Sequence, residues 1–406
     1  MHYVNEESLR DNFNKLDAKK AVGIDGVRKE NYGKNLEANL KDLLERMKRM
    51  AYIPMPVKEV LIPKEGQPGK FRPLGISIIE DKIVQGVFQK ILEAIYDPLF
   101  MDCSHGFRPN KSCHTAVKSL RDYLYANTIE TVIDIDLKNF FGTINHKILE
   151  NILREKIKDE RFIRYIIRMF KAGVLSDGDL IISDEGVPQG SICSPVLANI
   201  FAHYVLDIWI EKEIQPYCHG KVKLFRYADD AIICCESDTD AKKIRETLPK
   251  RLGKYNLILN EEKTKMIPFS RKKVIQNIPQ GSFDFLGFTF YWAKSRGGLT
   301  IPKIKTKGKT LRKKLSNVSK WARENRNKIP LKVLWKTFCA KLKGHIQYYG
   351  VSFNIGKVQH FVLVATRLVF KWLNRRSQKQ SFTWEKFSLF LNKYPPPKAK
   401  ICHPLF

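Results

Sequence analysis

The sequence contains little that would place the protein in a membrane or outside the cell. Its longest apolar stretches, such as residues 361–370, are interrupted or too short, since a bilayer span needs roughly 18 apolar residues. The N-terminus carries acidic residues and no apolar leader core, which argues against a signal or transit peptide. The eight cysteines show no paired CxxC spacing, so neither a zinc ribbon nor a disulfide framework is expected. These absences predict a soluble intracellular protein.

Acidic residues are almost missing from the C-terminal part of the chain. Residues 295–406 hold 26 Lys or Arg but only two acids, Glu324 and Glu385, and so carry +24 of the chain's formal net charge of +30. Such a segment is expected to bind a polyanion. Its most basic stretch, residues 302–314, is equally well interpreted as a solvated or disordered basic arm.

Beyond that stretch the basic segment regains apolar and aromatic residues. In residues 331–350 the apolar positions Leu331, Leu334, Trp335, Phe338 and Leu342 recur at helical spacing, while most lysines fall elsewhere. A basic helical domain with interleaved aromatics suits the nucleic-acid backbone. Binding to a membrane surface is the alternative, and it fits buried aromatics less well.

Two adjacent carboxylates, Asp229 and Asp230, lie between apolar runs in the segment LFRYADDAIICCESD, residues 224–238. The flanking residues predict a β-hairpin, and Asp is common in turns, so a simple turn explains the pair when it is taken alone. The alternative is a Mg²⁺ site, because hard cations take oxygen ligands and relieve repulsion between carboxylates. That alternative requires a further carboxylate from elsewhere.

The further carboxylate is found in ETVIDIDLKNFFGTINH, residues 130–146. Residues 132–137 alternate as a strand, with Asp134 and Asp136 on one face. One of them could meet the hairpin carboxylates, although solvent-facing aspartates would explain the segment by itself.

Two turn-rich loops complete the pattern. In residues 184–201, Gly190 and Ser191 allow the close approach of a flat base and precede a predicted helix. In residues 62–76, Lys64, Lys70 and Arg72 flank a Gly/Pro turn, where Arg could clamp phosphate oxygens.

Together and in this order, the motifs resemble the reverse transcriptases and maturases encoded by group II introns. The resemblance covers nearly the whole chain and rests on AVGIDGV, KFRPLGI, HGFRPNKSCHTAV, DIDLKNFFGTINH, GVPQGSICSPVLANI, RYADD, LNEEKTK and FLGFTF. It implies an α+β fold of the right-hand polymerase type, with fingers, a palm built on an antiparallel sheet, and a helical thumb. The expected divisions are an N-terminal extension and the start of the fingers (1–60), a fingers–palm domain (61–294) and a basic helical thumb or maturase-specific X domain (295–406).

The resemblance also implies the catalytic residues and the cofactor. Asp136 matches the family's first catalytic aspartate, and Asp229 and Asp230 match the pair on its hairpin. Asp134 does not match. Two Mg²⁺ ions are expected, held by Asp136, Asp229, the Leu137 carbonyl and, more peripherally, Asp230.

Residues around the nucleotide and primer are implied in the same way. Phe141 matches an aromatic that excludes a 2′-hydroxyl, although a core aromatic beside Phe140 is the alternative. Lys263 is expected to protonate pyrophosphate, with Lys265 as a close competitor. The remaining nucleotide-binding positions are Lys64, Arg72, Gln189 and Gly190, and the expected primer grip is Phe285, Leu286, Gly287 and Phe288.

The sequence departs from the family pattern at Gly142, where an Asp is usual. No HNH-type His or Cys pattern follows residue 394, so target-site cleavage is not expected. The implied partners are an RNA template, a DNA or RNA primer, deoxynucleotides and structured intron RNA, in the bacterial cytoplasm and without a membrane. Two alternatives stay open: an intron-free reverse transcriptase serving phage defence or repair, and a splicing maturase with a minor polymerase role.

Overall fold

The structure is a computed structural model that describes residues 1–63, 69, 71–176, 178–188, 190–376 and 382–405. Helices and largely antiparallel sheets alternate along the chain, which confirms the α+β class. The chain forms two compact units. The first comprises Met1–Ala116 and Ile129–Met266, and the second comprises Val117–Thr128 and Ile267–Phe406.

The first unit carries the segments that hold the two acidic motifs. Its helices and strands are α1 (Glu6–Lys15), α2 (Lys29–Gly33), α3 (Leu36–Lys48), β1 (Val57–Pro63), β2 (Phe71–Ile76), α4 (Ile79–Tyr96), the start of α5 (Cys113–Ala126), β3 (Thr131–Ile135), α6 (Phe140–Thr143), α7 (His146–Lys156), α8 (Glu160–Lys171), β4 (Val174–Ser176), β5 (Asp179–Ile181), α9 (Ser194–Ala202), β6 (Val222–Tyr227), β7 (Asp230–Cys235), α10 (Asp238–Gly253) and the start of β8 (Lys265–Pro268).

Two sheets organise this unit. One has the strand order β6-β7-β3-β8, with β7 antiparallel to both of its neighbours. The other has the order β2-β1-β4-β5, in which β1 runs antiparallel to β2 and parallel to β4. Strand β7 is buried from Ala231 to Cys235, and one of its faces, with Ala231, Ile233 and Cys235, belongs to the core that also contains residues of helices α9 and α10.

Cys234 and Cys235 lie in this buried strand and are free thiols, as the sequence predicts. Burial raises the pKa of both thiols, that of Cys235 to about 12. They are therefore uncharged core residues at neutral pH.

After α9 the helix continues in π-helical turns at His203–Asp207 and Trp209–Ile214. Such wide turns are rare in proteins, and those that occur are often found at functional sites. Asp207 at the end of the first one is fully buried, and its partner is described below.

The second unit contains the rest of the strands and helices. They are the rest of α5, the end of β8, α11 (Arg271–Ile275), β9 (Phe283–Phe285), β10 (Phe288–Lys294), β11 (Thr300–Thr306), α12 (Gly308–Asn325), α13 (Leu331–Tyr349), α14 (Ile355–Leu373) and α15 (Trp384–Lys393).

The predicted helical spacing of the basic segment is confirmed. Leu334, Trp335, Phe338 and Leu342 of α13 are buried, in a core shared with α12, α14 and α15, and Leu331 is partly buried against the same core. The alternative of a disordered arm at residues 302–314 is wrong, because this stretch forms the end of β11 and the start of α12. Within the described ranges, no helix has the length and apolar content needed to cross a membrane.

The last of the boundaries between the compact units falls between residues 266 and 267, whereas the sequence predicts a functional boundary between residues 294 and 295. The first division follows packing and the second follows family motifs. The functional division therefore stays a prediction.

Candidate active site

The predicted hairpin is confirmed, and its turn carries the carboxylate pair. Tyr227 of β6 pairs with Asp230 of β7, so Ala228 and Asp229 alone form the two-residue loop. Ala228 has a φ of 56°, a left-handed conformation that L-residues adopt at some cost and that two-residue hairpins require. The turn therefore fixes the direction in which Asp229 leaves the sheet.

Strand β3 brings the other acidic segment to the same end of the sheet. Asp134 pairs with Ile232, and Ile135 pairs with Ala231. The strand was predicted to reach Leu137 and ends at Ile135. Continuing the register by one residue sets Asp136 opposite Asp230, at the beginning of β7.

Asp229 is electrostatically coupled to this strand. Burial raises the pKa of Asp229, and the charge of Asp136 raises it further, while its own backbone N–H and the charge of Arg72 act in the opposite direction. The strand register likewise places Asp136 next to the turn that carries Asp229. The structure therefore brings together Asp136 and Asp229, which lie 93 positions apart in the sequence.

Asp136 is held in place by the segment that follows α10. Its Oδ1 atom accepts a hydrogen bond from Asn260 Nδ2 at 2.8 Å, and its backbone carbonyl accepts one from the Asn260 N–H at 2.8 Å. The Asp136 N–H donates to Thr264 Oγ1 at 3.3 Å. Asn260 and Thr264 belong to the LNEEKTK motif, but no role was predicted for either.

Lys263 of the same motif also reaches Asp136. Its Nζ atom lies 3.5 Å from Asp136 Oδ1, and both side chains are partly exposed. Lys265 is exposed at the start of β8, and no ion pair with Asp136 joins it. Of the two lysines considered for proton donation, Lys263 is the one beside a predicted catalytic carboxylate.

The bonds made by its two neighbours indicate the direction of the Leu137 carbonyl. The Asp136 carbonyl and the Lys138 N–H bond to Asn260 and Ile258, on the β8 side of the sheet. Backbone groups of successive strand residues point alternately to the two neighbouring strands. Those of Leu137 therefore point towards β7, which begins at Asp230.

The described part of the chain contains no group of three or more His, Cys, Asp or Glu side chains arranged to hold a metal ion. Mg²⁺ does not require one, because it keeps several waters and binds through one or two carboxylates together with substrate phosphates. Asp136 and Asp229, with the Leu137 carbonyl turned towards β7, supply hard oxygen donors. The raised pKa of Asp229 means that its negative charge is disfavoured in this site. A nearby cation would stabilise that charge. The residues present fit Mg²⁺, and the three-carboxylate assignment stays a prediction.

A buried arginine that the sequence did not single out supports the turn. Arg226 has no exposed surface, and all five of its N–H donors have partners. They are Asp207 Oδ1 and Oδ2 at 2.6 Å each, Ser104 Oγ at 2.8 Å, Asn199 Oδ1 at 3.0 Å and the Ala228 carbonyl at 3.1 Å. The guanidinium therefore connects the hairpin turn to α9, to the π-helical turn and to the loop before α5.

Gly106 lets that loop lie directly against the turn. A Cβ atom at Gly106 would come within 2.5 Å of the Ala228 nitrogen, which a side chain could not do without moving the backbone. The HGFRP motif therefore has a packing role beside the hairpin.

The predicted nucleotide-binding residues are only partly within the described chain. Lys64 and Gln189 lie outside it, as does Lys70. Arg72 is exposed on β2 and acts electrostatically on Asp229. Gly190 has a φ of 107°, and a Cβ there would lie 2.5 Å from the Gly75 carbonyl oxygen. Glycine is thus required where this loop contacts β2.

Phe141 lies in the short helix α6. Phe140 is buried, whereas Phe141 is partly exposed and contacts Phe140 edge-on with ring centroids 5.5 Å apart. The Phe141 carbonyl accepts from the Val187 N–H at 2.8 Å, which joins α6 to the GVPQG loop. Phe141 packs against the core that contains Phe140 but keeps part of its ring exposed, so a core role and a role towards the sugar both stay predictions.

Gly142 lines an open cleft of about 290 Å³ together with Gly75, Gly186 and Pro188. A Cβ at Gly142 would lie 2.3 Å from the Asn139 side-chain nitrogen. An aspartate here would require Asn139 to adopt another rotamer, so the local turn has adapted to glycine.

The predicted primer grip is the turn between β9 and β10. Phe285 pairs with Phe288, and both loop residues, Leu286 and Gly287, have positive φ values, of 50° and 79°. The Leu286 carbonyl accepts from Tyr348 Oη at 2.9 Å, and a Cβ at Gly287 would lie 2.9 Å from Tyr349 Oη. Helix α13 thus holds the turn in this strained form.

Comparison with known proteins identifies the family that the sequence motifs resemble. Residues 62–290 match the family described as reverse transcriptase (RNA-dependent DNA polymerase). The protein YkfC of Escherichia coli strain K12 is 32% identical over 328 residues, which cover 70% of this chain and 81% of YkfC. The chain belongs to the reverse transcriptase family, within the group of reverse transcriptases and maturases encoded by group II introns.

Other relatives are longer than this chain. The group II intron-encoded protein LtrA of Lactococcus lactis subsp. cremoris is 33% identical over 266 residues, covering 63% of this chain and 42% of LtrA. An uncharacterised 91 kDa protein in the cob intron of Schizosaccharomyces pombe is 38% identical over 200 residues, covering 49% of this chain and 24% of that protein. The chain thus spans less than half the length of either relative.

Proposed function

We propose that this protein is an RNA-directed DNA polymerase of the group II intron type, which extends a DNA or RNA primer with deoxynucleotides. The observation that carries the proposal is the approach of Asp136 to Asp229 at one end of the β6-β7-β3-β8 sheet, in a chain of the reverse transcriptase family. A binding protein without catalysis would not need to hold two repelling carboxylates together in a partly buried site.

Asp136, Asp229 and the Leu137 carbonyl would hold two Mg²⁺ ions, with Asp230 at the periphery. When bound, the ions would activate the primer 3′-hydroxyl and neutralise charge on the triphosphate and the leaving pyrophosphate. Arg72, exposed on β2, would bind triphosphate oxygens. The Lys263 amine lies beside Asp136 and would donate a proton to pyrophosphate.

In this proposal the chain follows the fingers, palm and thumb arrangement of its family. Residues 1–60 are the N-terminal extension and the start of the fingers, residues 61–294 the fingers and palm, and residues 295–406 the thumb or X domain. The antiparallel β6-β7-β3 sheet with its acidic end supports the palm assignment. The helical, basic second unit supports the thumb assignment.

We further propose that the protein binds structured intron RNA and assists splicing. The support is the net charge of +24 on residues 295–406, much of which lies on the helices α12, α13, α14 and α15. The Asp229→Ala variant tests whether this role is separate from polymerisation. Splicing at the normal rate together with lost DNA synthesis would establish two independent functions, whereas loss of both would contradict a separate splicing role.

Primer extension on an RNA template tests the polymerase function. Asp136→Asn should abolish extension while RNA affinity stays near normal. Asp134→Asn is the matched control, because Asp134 lies two residues earlier on the same face of β3. Extension by Asp136→Asn at the rate of the unchanged protein, or equal loss in both variants, would contradict the assignment.

A further inference from the structure

Four cationic side chains surround one tryptophan ring at the end of α14. Arg326 and Arg375 lie with Cζ at 5.3 Å and 5.6 Å from the Trp372 ring centroid, Lys371 with Nζ at 5.7 Å, and Arg323 with Cζ at 6.0 Å. All four distances are within the range of cation–π attraction. These five residues are called the Trp372 cluster below.

The cluster is held by the fold of the second unit. Trp372 is half-buried against the helical core, and its Nε1 donates to Ser319 Oγ at 2.9 Å. Arg376, next to the cluster, donates to the carbonyls of Arg326 and Ile329, the latter at 2.9 Å. The end of α14 is therefore fixed to the end of α12, and the cations are presented from a rigid surface.

The positive charge of the cluster is not balanced within the described chain. No carboxylate there forms an ion pair with any of its four cations, and Glu324 is engaged at 4.0 Å by Lys320. The C-terminal ends of α12 and α14 both lie here, and each contributes about −0.5 charge. Together they offset only about one of the four positive charges, so complementing the helix dipoles does not explain the cluster.

The cluster is separate from the predicted primer grip. Tyr349 at the end of α13 contacts the Leu286–Gly287 turn, whereas Ile329, just before the start of α13, lies beside Arg376. Helix α13 has 19 residues, and at 1.5 Å per residue it separates the two ends by about 27 Å.

We propose that the Trp372 cluster is a binding site for backbone phosphates of structured RNA, distinct from the primer grip. Three of its four cations are arginines, whose planar guanidinium groups bind phosphate oxygens in bidentate fashion. RNA is favoured over an anionic lipid surface because the chain belongs to a family that uses RNA templates. The inference depends on the proposed RNA binding but not on polymerase activity.

The test uses the full chain with the double variant Arg323→Gln/Arg375→Gln. Both side chains are exposed, so the fold should be unchanged by circular dichroism. The control, Lys398→Gln/Lys400→Gln, removes the same charge from exposed positions near Gly350, at the other end of α13. The probes are an RNA hairpin and, in parallel, phosphatidylserine vesicles, each titrated over a range of KCl concentrations.

The cluster variant should bind the RNA hairpin about tenfold more weakly, with a log–log salt slope reduced by about one to two, and the control should change much less. Equal weakening in both variants would overturn the proposal, as would a loss confined to vesicle binding. Extension of a short primer on a short template should be unchanged in the cluster variant. If the unchanged protein fails to extend any primer, the polymerase proposal fails while the RNA site is still tested by the binding data.

Discussion

Arg226 donates two hydrogen bonds to Asp207, from Nε to Oδ1 and from Nη2 to Oδ2, each 2.6 Å long and fully buried. Burial alone would raise the pKa of the Asp207 carboxyl. The charge of Arg226 and its hydrogen bonds outweigh burial and hold this pKa below its usual value. The same guanidinium bonds the carbonyl of Ala228, the residue before Asp229. The buried pair is thus part of the support of the turn that positions Asp229.

Arg226→Lys should lower both stability and the rate of primer extension. Lysine keeps the charge but cannot supply five donors, so Ser104, Asn199 or the Ala228 carbonyl loses its partner, at about 1–3 kcal/mol for each buried polar group left unpaired. Unfolding curves and the turnover of the folded protein give the two readouts. We expect a lower turnover number with little change in the Michaelis constant for RNA template-primer.

Arg108→Lys is the control for this prediction. Arg108 is nearly as buried, and it bonds Asp97 and the carbonyls of Met101 and Ser104, but not the hairpin. It should lose stability while the folded protein keeps its turnover. If both lysine variants extend primers at the same rate, Arg226 is merely structural.

Asn260→Asp should slow extension because it replaces the donor to Asp136 Oδ1 with a second negative charge. A hydrogen bond to a charged group contributes about 1.5–3 kcal/mol, which corresponds to a rate loss of roughly ten- to a hundredfold. Extension rates at increasing Mg²⁺ concentration provide the measurement. Glu262→Gln, an exposed change in the same motif, should have no effect, and full activity of Asn260→Asp would remove Asn260 from the site.

Phe141→Ala should allow ribonucleotides to be incorporated, because the partly exposed ring would no longer exclude a 2′-hydroxyl. The measurement is the ratio of extension with deoxynucleotides to extension with ribonucleotides. Phe140→Leu alters the neighbouring buried ring and should reduce stability without changing this ratio. An unchanged ratio in Phe141→Ala would assign that ring to packing alone.

His345 should make the stability of the second unit depend on pH. Its ring is stacked on Phe361 at 3.6 Å, and neither ring nitrogen has a hydrogen-bond partner in the described chain. Burial, helped by the charge of Lys314, lowers the pKa of His345 to about 3. The unfolded chain takes up a proton near pH 6.5, so stability is complete above that pH and falls as pH decreases towards 3.

The expected loss from this one group is about 1.4 kcal/mol between pH 7.5 and 5.5. His345→Phe should remove that part of the pH dependence, measured by urea unfolding at both pH values. His105, whose pKa burial lowers to about 4, stays in both proteins, so the difference between them isolates His345. Identical pH dependence of the two proteins would contradict the prediction.

The sequence by itself determined those helices and hairpins that neighbouring residues along the chain specify. The hairpin at 222–235 follows from β-prone residues on both sides of a short turn, and α13 follows from apolar residues at helical spacing. The family motifs also selected Asp136 and Asp229 before any packing was known. The exact end of β3 was missed, because strand ends depend on neighbouring strands rather than on alternation.

Only the tertiary structure decided which side chains support the site. Arg226 is one of 72 Lys and Arg residues, and nothing local distinguishes the one that is fully buried against Asp207. Asn260 meets Asp136 across 124 positions of sequence, and the cations around Trp372 come from the C-terminal ends of two helices, and the residues just after them, about 50 residues apart. Such contacts arise from long-range packing of elements, for which a sequence pattern of one element carries no signal.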